Sequence, residues 1–372
     1  MRILHVVPTY LPATRYGGPI YAVHGLCRAL VARGHEVSVF TTNVDGSSES
    51  PVPIDRDVLL DGVRVRYFRS EVRRLYFSRG LKRALRAEMA SFDLVHLHSV
   101  FLWPTQAAAR AAAAAGVPYV VSPRGMLVPE LIRERSRWTK TAWLGLFERR
   151  TFAQAAAIHL TSQREADDAQ RVGIPIPHPF IVPNGIDVVP RPDVPRAERT
   201  VLYFGRISWK KRIDLLIDAL AQLPGARLVI AGNDDEGLTP QLQERAQKSG
   251  VSDRVTFAGA IESSAKWELL ARATVVAMPS ISENFGNVVL EAMMMETPVV
   301  VAEGVGLAAD VRNAGAGIVT ADFAASIRTL LADDSLRAQM GRNGRTLVES
   351  QFTWQAVAAR MEEAYCSIAS HR

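Results

Sequence analysis

Thr200-Val201-Leu202-Tyr203-Phe204-Gly205-Arg206-Ile207-Ser208-Trp209-Lys210-Lys211 is the stretch that decides the fold. A short β-branched and aromatic run, 200–204, ends in a glycine. A segment of helical period, 211–222, then carries the apolar stripe Ile213, Leu216, Ile217 and Leu220. Strand, tight turn and amphipathic helix make the repeating unit of a parallel α/β sheet. Downstream the same alternation predicts strands at 227–231, 254–258, 274–277 and 298–301. Upstream it predicts strands at 2–7, 36–41, 63–67, 94–98, 118–122 and 157–160. Helical stretches fall between them at 19–32, 81–90 and the alanine-rich 105–115. Seven prolines between 175 and 195 interrupt the alternation and read as an extended connector. No repeat of solenoid length is present.

The chain has 372 residues, enough for two domains at about 150 residues each. The expectation is α/β: two Rossmann-like, doubly wound domains facing across a cleft. The first spans 1–187 and the second 188–352, with a C-terminal helix, 353–372, packing back on the first. Ligands of such sheets bind beyond the carboxyl ends of the strands, so functional residues are sought there. No apolar run reaches the ~18–20 residues that span a bilayer. The N-terminal apolar stretch, bounded by Pro8, is too short for a signal peptide. Cys27 and Cys366 are too few and too far apart for a disulfide framework, which fits a reducing cytosol. The net charge of +6 is uneven: residues 1–187 carry 24 Lys+Arg against 16 Asp+Glu, and the rest carries 20 against 22. The basic half points to an anionic partner.

Four strand-end motifs carry chemistry. Gly17-Gly18-Pro19 precedes a helix; it reads either as a close-approach loop for phosphate or as a flexible loop with a Pro-started helix. Its spacing is not the dinucleotide fingerprint. In 94–98, His96 and His98 share one face, with His98 at the carboxyl end. No further cluster with ligand spacing joins them in sequence, so no metal site is expected, and buried structural histidines are the alternative. Arg206 and Lys211 stand near a predicted helix start, where cations oppose the macrodipole unless an anion sits between them. Ser282-Glu283-Asn284-Phe285-Gly286-Asn287-Val288-Val289-Leu290-Glu291 is the strongest motif. Its helix start offers amides near Asn287, Val288 and Val289 for phosphate, and Glu283 and Glu291 offer acceptors for hydroxyls.

Together these residues resemble the family 4 retaining glycosyltransferases of GT-B fold. The resemblance rests on Gly17-Gly18, His98, Val182-Pro183-Asn184-Gly185-Ile186-Asp187, Gly205-Arg206 with Lys211, and Glu283 and Glu291 with seven residues between them, the family's Glu-x7-Glu pattern. It implies that Arg206 and Lys211 contact the donor diphosphate and Glu291 the ribose. Glu283 would lie near the donor-sugar hydroxyls, Val288 and Val289 at a phosphate, Gly18 at the diphosphate and His98 near the transferred sugar. It further implies front-face transfer with retained configuration, no obligatory metal and no cofactor. Asp234-Asp235-Glu236 reads as a solvated loop. Arg212 stands where many relatives have glycine, which bears on loop shape. Ser122-Pro123-Arg124-Gly125-Met126-Leu127 resembles a subgroup associated with bacterial surface-polysaccharide assembly, and Arg124 is an acceptor-side candidate.

Nine basic residues between Arg64 and Arg86, against the single acid Glu71, interleave with Tyr67, Phe68, Tyr76 and Phe77. A second stretch, 133–150, mixes Arg and Lys with Trp138, Trp143 and Phe147. Both suit an anionic membrane surface, and an arginine-rich but otherwise ordinary surface is the alternative; only six of the 44 basic residues are lysine. The expectation is a cytoplasmic hexosyltransferase, peripheral on the inner face of the membrane. It would move a hexosyl unit from a UDP- or GDP-sugar to a glycan or lipid-linked acceptor. The rivals are a nucleotide-sugar epimerase and a nucleic-acid-binding protein. The second lacks any helix-turn-helix, zinc or single-strand-binding signature, so nucleic acid is not expected as a partner.

Overall fold

The computed structural model describes residues 1–13, 18–129, 132, 143–261 and 263–370. The chain divides into two compact units: Met1–Gly185 with Trp354–Arg372, and Ile186–Thr353.

The strands of the first unit are β1 (Arg2–Val6), β2 (Glu36–Thr42), the small hairpin β3 (Val44–Asp45) and β4 (Ser48–Glu49), β5 (Asp57–Leu60), β6 (Val63–Phe68), β7 (Leu94–His98), β8 (Tyr119–Ser122), β9 (Ala157–Leu160) and β10 (Pro179–Ile181). Eight of them form one sheet in the order β10-β9-β8-β7-β1-β2-β6-β5, parallel except for the antiparallel edge strand β5. The central strands are apolar on both faces because helices cover both. Leu4, Val6, Val95, Leu97 and Val121 face one core, while Ile3, Val37, Val39, Leu94 and Val120 face the other. The C-terminal helix Trp354–Ser370 closes the second core with Val357, Ala358, Met361 and Tyr365, against the helix Gly18–Ala32. Arg33 and His35 both bond Glu362 and tie that helix down.

The second unit continues with β11 (Thr200–Phe204), β12 (Arg227–Ala231), β13 (Val255–Gly259), β14 (Val275–Met278), β15 (Val299–Val301) and β16 (Gly317–Val319). The order β13-β12-β11-β14-β15-β16 is wholly parallel and is the doubly wound pattern, whose strand order reverses between β11 and β14. In the first unit the reversal falls between β1 and β7.

Two expectations are corrected. The proline-rich connector holds a strand: Pro179–Ile181 pairs in parallel with β9 at the sheet edge, where a missing N–H costs no ladder bond. The helix expected from Lys211 begins at Ile213; Trp209–Lys211 is a 3-10 turn, and Arg212 between them is left-handed, φ 50°. That conformation is the one in which glycine costs least.

Candidate active site

In the second unit, the loops after β11 and β14 meet at the reversal point. Lys211, from the 3-10 turn, is buried and its ammonium contacts the Glu283 carboxylate. Burial pulls the Lys211 pKa down, and the cations Lys210 and Arg206 add to the pull. The Glu283 carboxylate is the counter-charge that a buried ammonium needs in such a place. Ile281 N–H donates to Lys210 O at 2.9 Å, fastening the two loops. The hydroxyls of Ser208 and Ser280 are buried there without a protein partner.

Glu283 is held by its backbone as well. Its N–H donates to Gly304 O, and Gly306 N–H donates to Glu283 O, both at 2.9 Å. A Cβ on Gly304 would lie 2.1 Å from Ile281 O, and one on Gly306 2.2 Å from Asn284 O, so only glycine permits this clamp. After it, Gly286 turns left-handed (φ 96°) and the helix Asn287–Met294 begins without a side-chain cap. Val289 N–H is spent on Gly286 O at 2.8 Å, which corrects the reading of that amide as free. Among the described residues Val288 N–H has no protein acceptor, so it is an open donor at this helix start. One turn on, Glu291 Oε1 accepts from Lys266 Nζ at 2.9 Å, and that ammonium also lies 4.5 Å from the centre of the Trp267 ring.

Arg206 is exposed, 3.9 Å from Asp235. The acidic run after β12 is more ordered than a solvated loop. Asp234 caps Leu238 and Thr239 N–H, and Glu236 accepts from Trp209 N–H. These contacts brace the 206–211 loop. Arg212, the cation next to the helix start, is neutralised by Asp214 in the first turn.

In the first unit the reversal point is lined by histidines. His5 on β1, His96 and His98 on β7 and His159 on β9 are all buried and share the sheet face of Ile3 and Leu94. Burial lowers all four pKa values, with Arg124 a further cause in each; His5 and His159 fall to about 3. Their tautomers follow from the ends of the hydrogen-bond chains. His159 Nε2 faces Val182 O at 2.8 Å and must donate, so its Nδ1 accepts from His96 Nε2 at 3.3 Å. His96 Nδ1 then accepts the Tyr365 hydroxyl at 2.6 Å. Arg124 directs Nε and Nη2 at His98 Nδ1, both at 3.3 Å, so His98 carries its proton on Nε2 and donates to His5 Nδ1 at 2.9 Å. His5 is left with a buried Nε2–H that has no acceptor. Three of these rings, His5, His96 and His98, could surround a metal ion, but His96 and His98 have both nitrogens committed to protein partners. Gly18 opens the helix Gly18–Ala32, and Gly17 lies outside the described residues.

Residues 17–185 match the family described as Glycosyl transferase 4-like domain, and residues 190–347 match Glycosyl transferases group 1. The chain carries the two domains of a group 1 glycosyltransferase. The glycogen synthase of Mycobacterium tuberculosis is 28% identical to this glycosyltransferase over 98% of the chain and 94% of that protein. The structure of sucrose-phosphate synthase from Thermosynechococcus elongatus superposes with a TM-score of 0.78 at 22% identity, covering 100% of both chains. Anabaena HepE, solved with UDP-glucose, gives 0.75 at 21% identity over 99% of this chain and 100% of its own. These likenesses establish the GT-B fold.

The candidate site of each unit contains residues that sequence reasoning missed. Lys266 has no motif around it, and only the fold reveals its contact with Glu291. His5 and His159 lie 93 and 63 residues from the partners they meet. Gly304 and Gly306, two glycines one residue apart after β15, are the signal of close backbone approach that the sequence offers for this clamp.

Proposed function

We propose that this glycosyltransferase moves a hexosyl unit from a UDP- or GDP-sugar to a glycan or lipid-linked acceptor in cell-surface polysaccharide assembly, with retained configuration and without a divalent metal. The observation that carries the reading is the pair of lysine–carboxylate contacts, Lys211 to Glu283 and Lys266 to Glu291, flanking the open amide of Val288. Cations and an amide suit a diphosphate, and the carboxylates suit the hydroxyls of a sugar and a ribose. HepE was solved with UDP-glucose, which supports a donor of this class.

In the proposed reaction the anomeric C–O bond to the diphosphate breaks as the acceptor oxygen attacks on the same face. Arg206 and Lys211 stabilise the charge gathering on the leaving diphosphate, the task that a metal performs elsewhere. The leaving phosphate oxygen takes the acceptor's proton, so no side-chain base is assigned. Glu283 orients the sugar and Glu291 the ribose. The test is to incubate the protein with UDP-glucose and GDP-mannose in chelator and follow nucleoside diphosphate release and the anomer formed. Release that needs Lys211 and Glu283, with α-sugar giving α-product, is expected. No release from any donor, or release only with added metal, contradicts the proposal.

The acceptor reaches the protein, on this proposal, at an anionic membrane surface. Arg79, Lys82, Arg83 and Arg86 lie on one face of the helix Arg79–Glu88 and border a surface hollow of about 370 Å³. None of the four side chains has an acidic partner among the described residues, whereas neighbouring Arg66 is held by Asp57 and Glu88. Val72 and Leu75 are exposed beside them. Each basic charge near lipid contributes about 1 kcal/mol. The first part of the second basic stretch, 133–142, lies outside the described residues. Among the described residues no helix is long and apolar enough to cross a membrane. Salt-sensitive co-sedimentation with phosphatidylglycerol vesicles is expected; failure to sediment at low salt removes this element.

A further inference from the structure

Arg124 is a cation with no ion pair among the described residues. It sits on the loop after β8, and among the described residues its guanidinium touches only neutral groups: Asn184 Oδ1 at 2.8 Å from Nη1, and His98 Nδ1 at 3.3 Å from Nε and Nη2. The four histidines behind it are held neutral by burial. Glu165, whose charge acts on Arg124 from a distance, is buried and forms no direct contact with it among the described residues. Its oxygens accept from Gly125 N–H and from the N–H and hydroxyl of Thr161. No ion pair to Arg124 exists among the described residues. Of its five N–H groups, three are used, so two are unspent.

The surroundings are short of acceptors. Among the described residues His5 Nε2–H is a buried donor without a partner, and so is the hydroxyl of Ser122, which stands beside His98 in the β7–β8 register. A buried charge is costly unless a partner of opposite sign completes it. A half-buried cation ringed by neutral rings, with spare donors on two strands beside it, is a site prepared for an anion.

We propose that Arg124 binds an acidic group of the acceptor, a phosphate or a carboxylate, with its two unspent N–H groups. The acceptor is then an anionic sugar or a phosphate-linked carrier. A neutral glycan is excluded as the first substrate. The proposal rests on the transferase reading for the word acceptor, and its anion site stands independently of the donor site.

The experiment is calorimetric titration of the full chain with inorganic phosphate at fixed ionic strength. A Lys211→Ala background removes the donor-side response, and Lys211→Ala is compared with Lys211→Ala/Arg124→Gln. Saturable binding in the first that weakens at least about tenfold in the second is expected. Glucose 1-phosphate and glucuronate, titrated in parallel, separate phosphate from carboxylate: the tighter of the two names the acidic group. Equal isotherms in the two proteins, or no saturable anion binding in Lys211→Ala, overturn the proposal. Arg124→Lys covers a folding failure of the glutamine variant. It keeps a point charge without the fork, so affinity should fall about three- to tenfold, and unchanged affinity overturns the proposal as well. UDP titration of wild type and Arg124→Gln keeps the two claims apart. Equal UDP binding is expected; UDP failing to bind wild type defeats the donor reading and leaves the phosphate result to judge Arg124.

Discussion

The two units solve one problem, how to place charge at the carboxyl ends of a parallel sheet, in opposite ways. The second unit pairs its charges: Lys211 with Glu283, Lys266 with Glu291, Arg212 with Asp214. At that place the first unit holds four neutral histidines and leaves Arg124 without an ion pair among the described residues. All eight histidines of the chain lie outside Ile186–Thr353. Paired charges exchange partners when a charged, hydroxyl-bearing ligand arrives, whereas a lone cation waits for one. The first arrangement suits a donor rich in both phosphate and hydroxyls, and the second suits a single acidic group.

The widest gap between the units should open with pH. The buried histidines have folded pKa values far below the unfolded value of about 6.5. Below pH 6.5 the unfolded chain therefore binds protons that the folded chain refuses. Stability is lost as pH falls, by about 1.4 kcal/mol per pH unit for each histidine, until the folded pKa values near 3 are reached. All four act in the same direction, so the loss is a large share of a domain's stability. Hydrogen exchange on the full chain at pH 7 and 5, corrected for intrinsic rates, should show β1 and β7 losing protection while β11 and β14 hold. Equal losses in both sheets would break the comparison.

Next comes the paired side. Lys211→Ala or Glu291→Ala should lower transfer by about 10²–10³-fold with the fold intact by circular dichroism. Near wild-type turnover in either would remove the donor-site assignment. Gly304→Ala should cost about 2–3 kcal/mol in urea unfolding and reduce kcat, because its methyl group collides with Ile281 O and displaces Glu283. A silent Gly304→Ala would show that the clamp on Glu283 is dispensable. The smallest effect is expected at Lys266. Lys266→Ala frees Glu291 without removing it, so donor KM should rise about five- to tenfold with kcat nearly unchanged. A loss of kcat instead would move Lys266 from positioning to chemistry.

How much of this the sequence made legible depended on whether the cause was local. Strands such as 94–98 and 200–204 were read to the residue because a short β-branched run between helical periods has few other solutions. Pro179–Ile181 was not, since proline argues against strands everywhere except the edge that this segment occupies. The helix start was misplaced by two residues because an arginine carries no local propensity for the left-handed turn that Arg212 makes; only its place where many relatives have glycine hinted at an unusual loop. Glu283 and Glu291 were visible through loop-to-helix context. Lys266, His5 and His159 were not, because strand register and helix packing alone bring them to their partners.

The central claim is that the second unit binds a nucleotide-sugar through its lysine–glutamate pairs. Calorimetric titration of the full chain with UDP, GDP and ADP, in the presence of chelator, tests it most directly. The prediction is saturable binding of one nucleotide over the others, tightened by its hexose conjugate and lost in Lys211→Ala. Absence of binding by all three, or binding that survives Lys211→Ala unchanged, would contradict it.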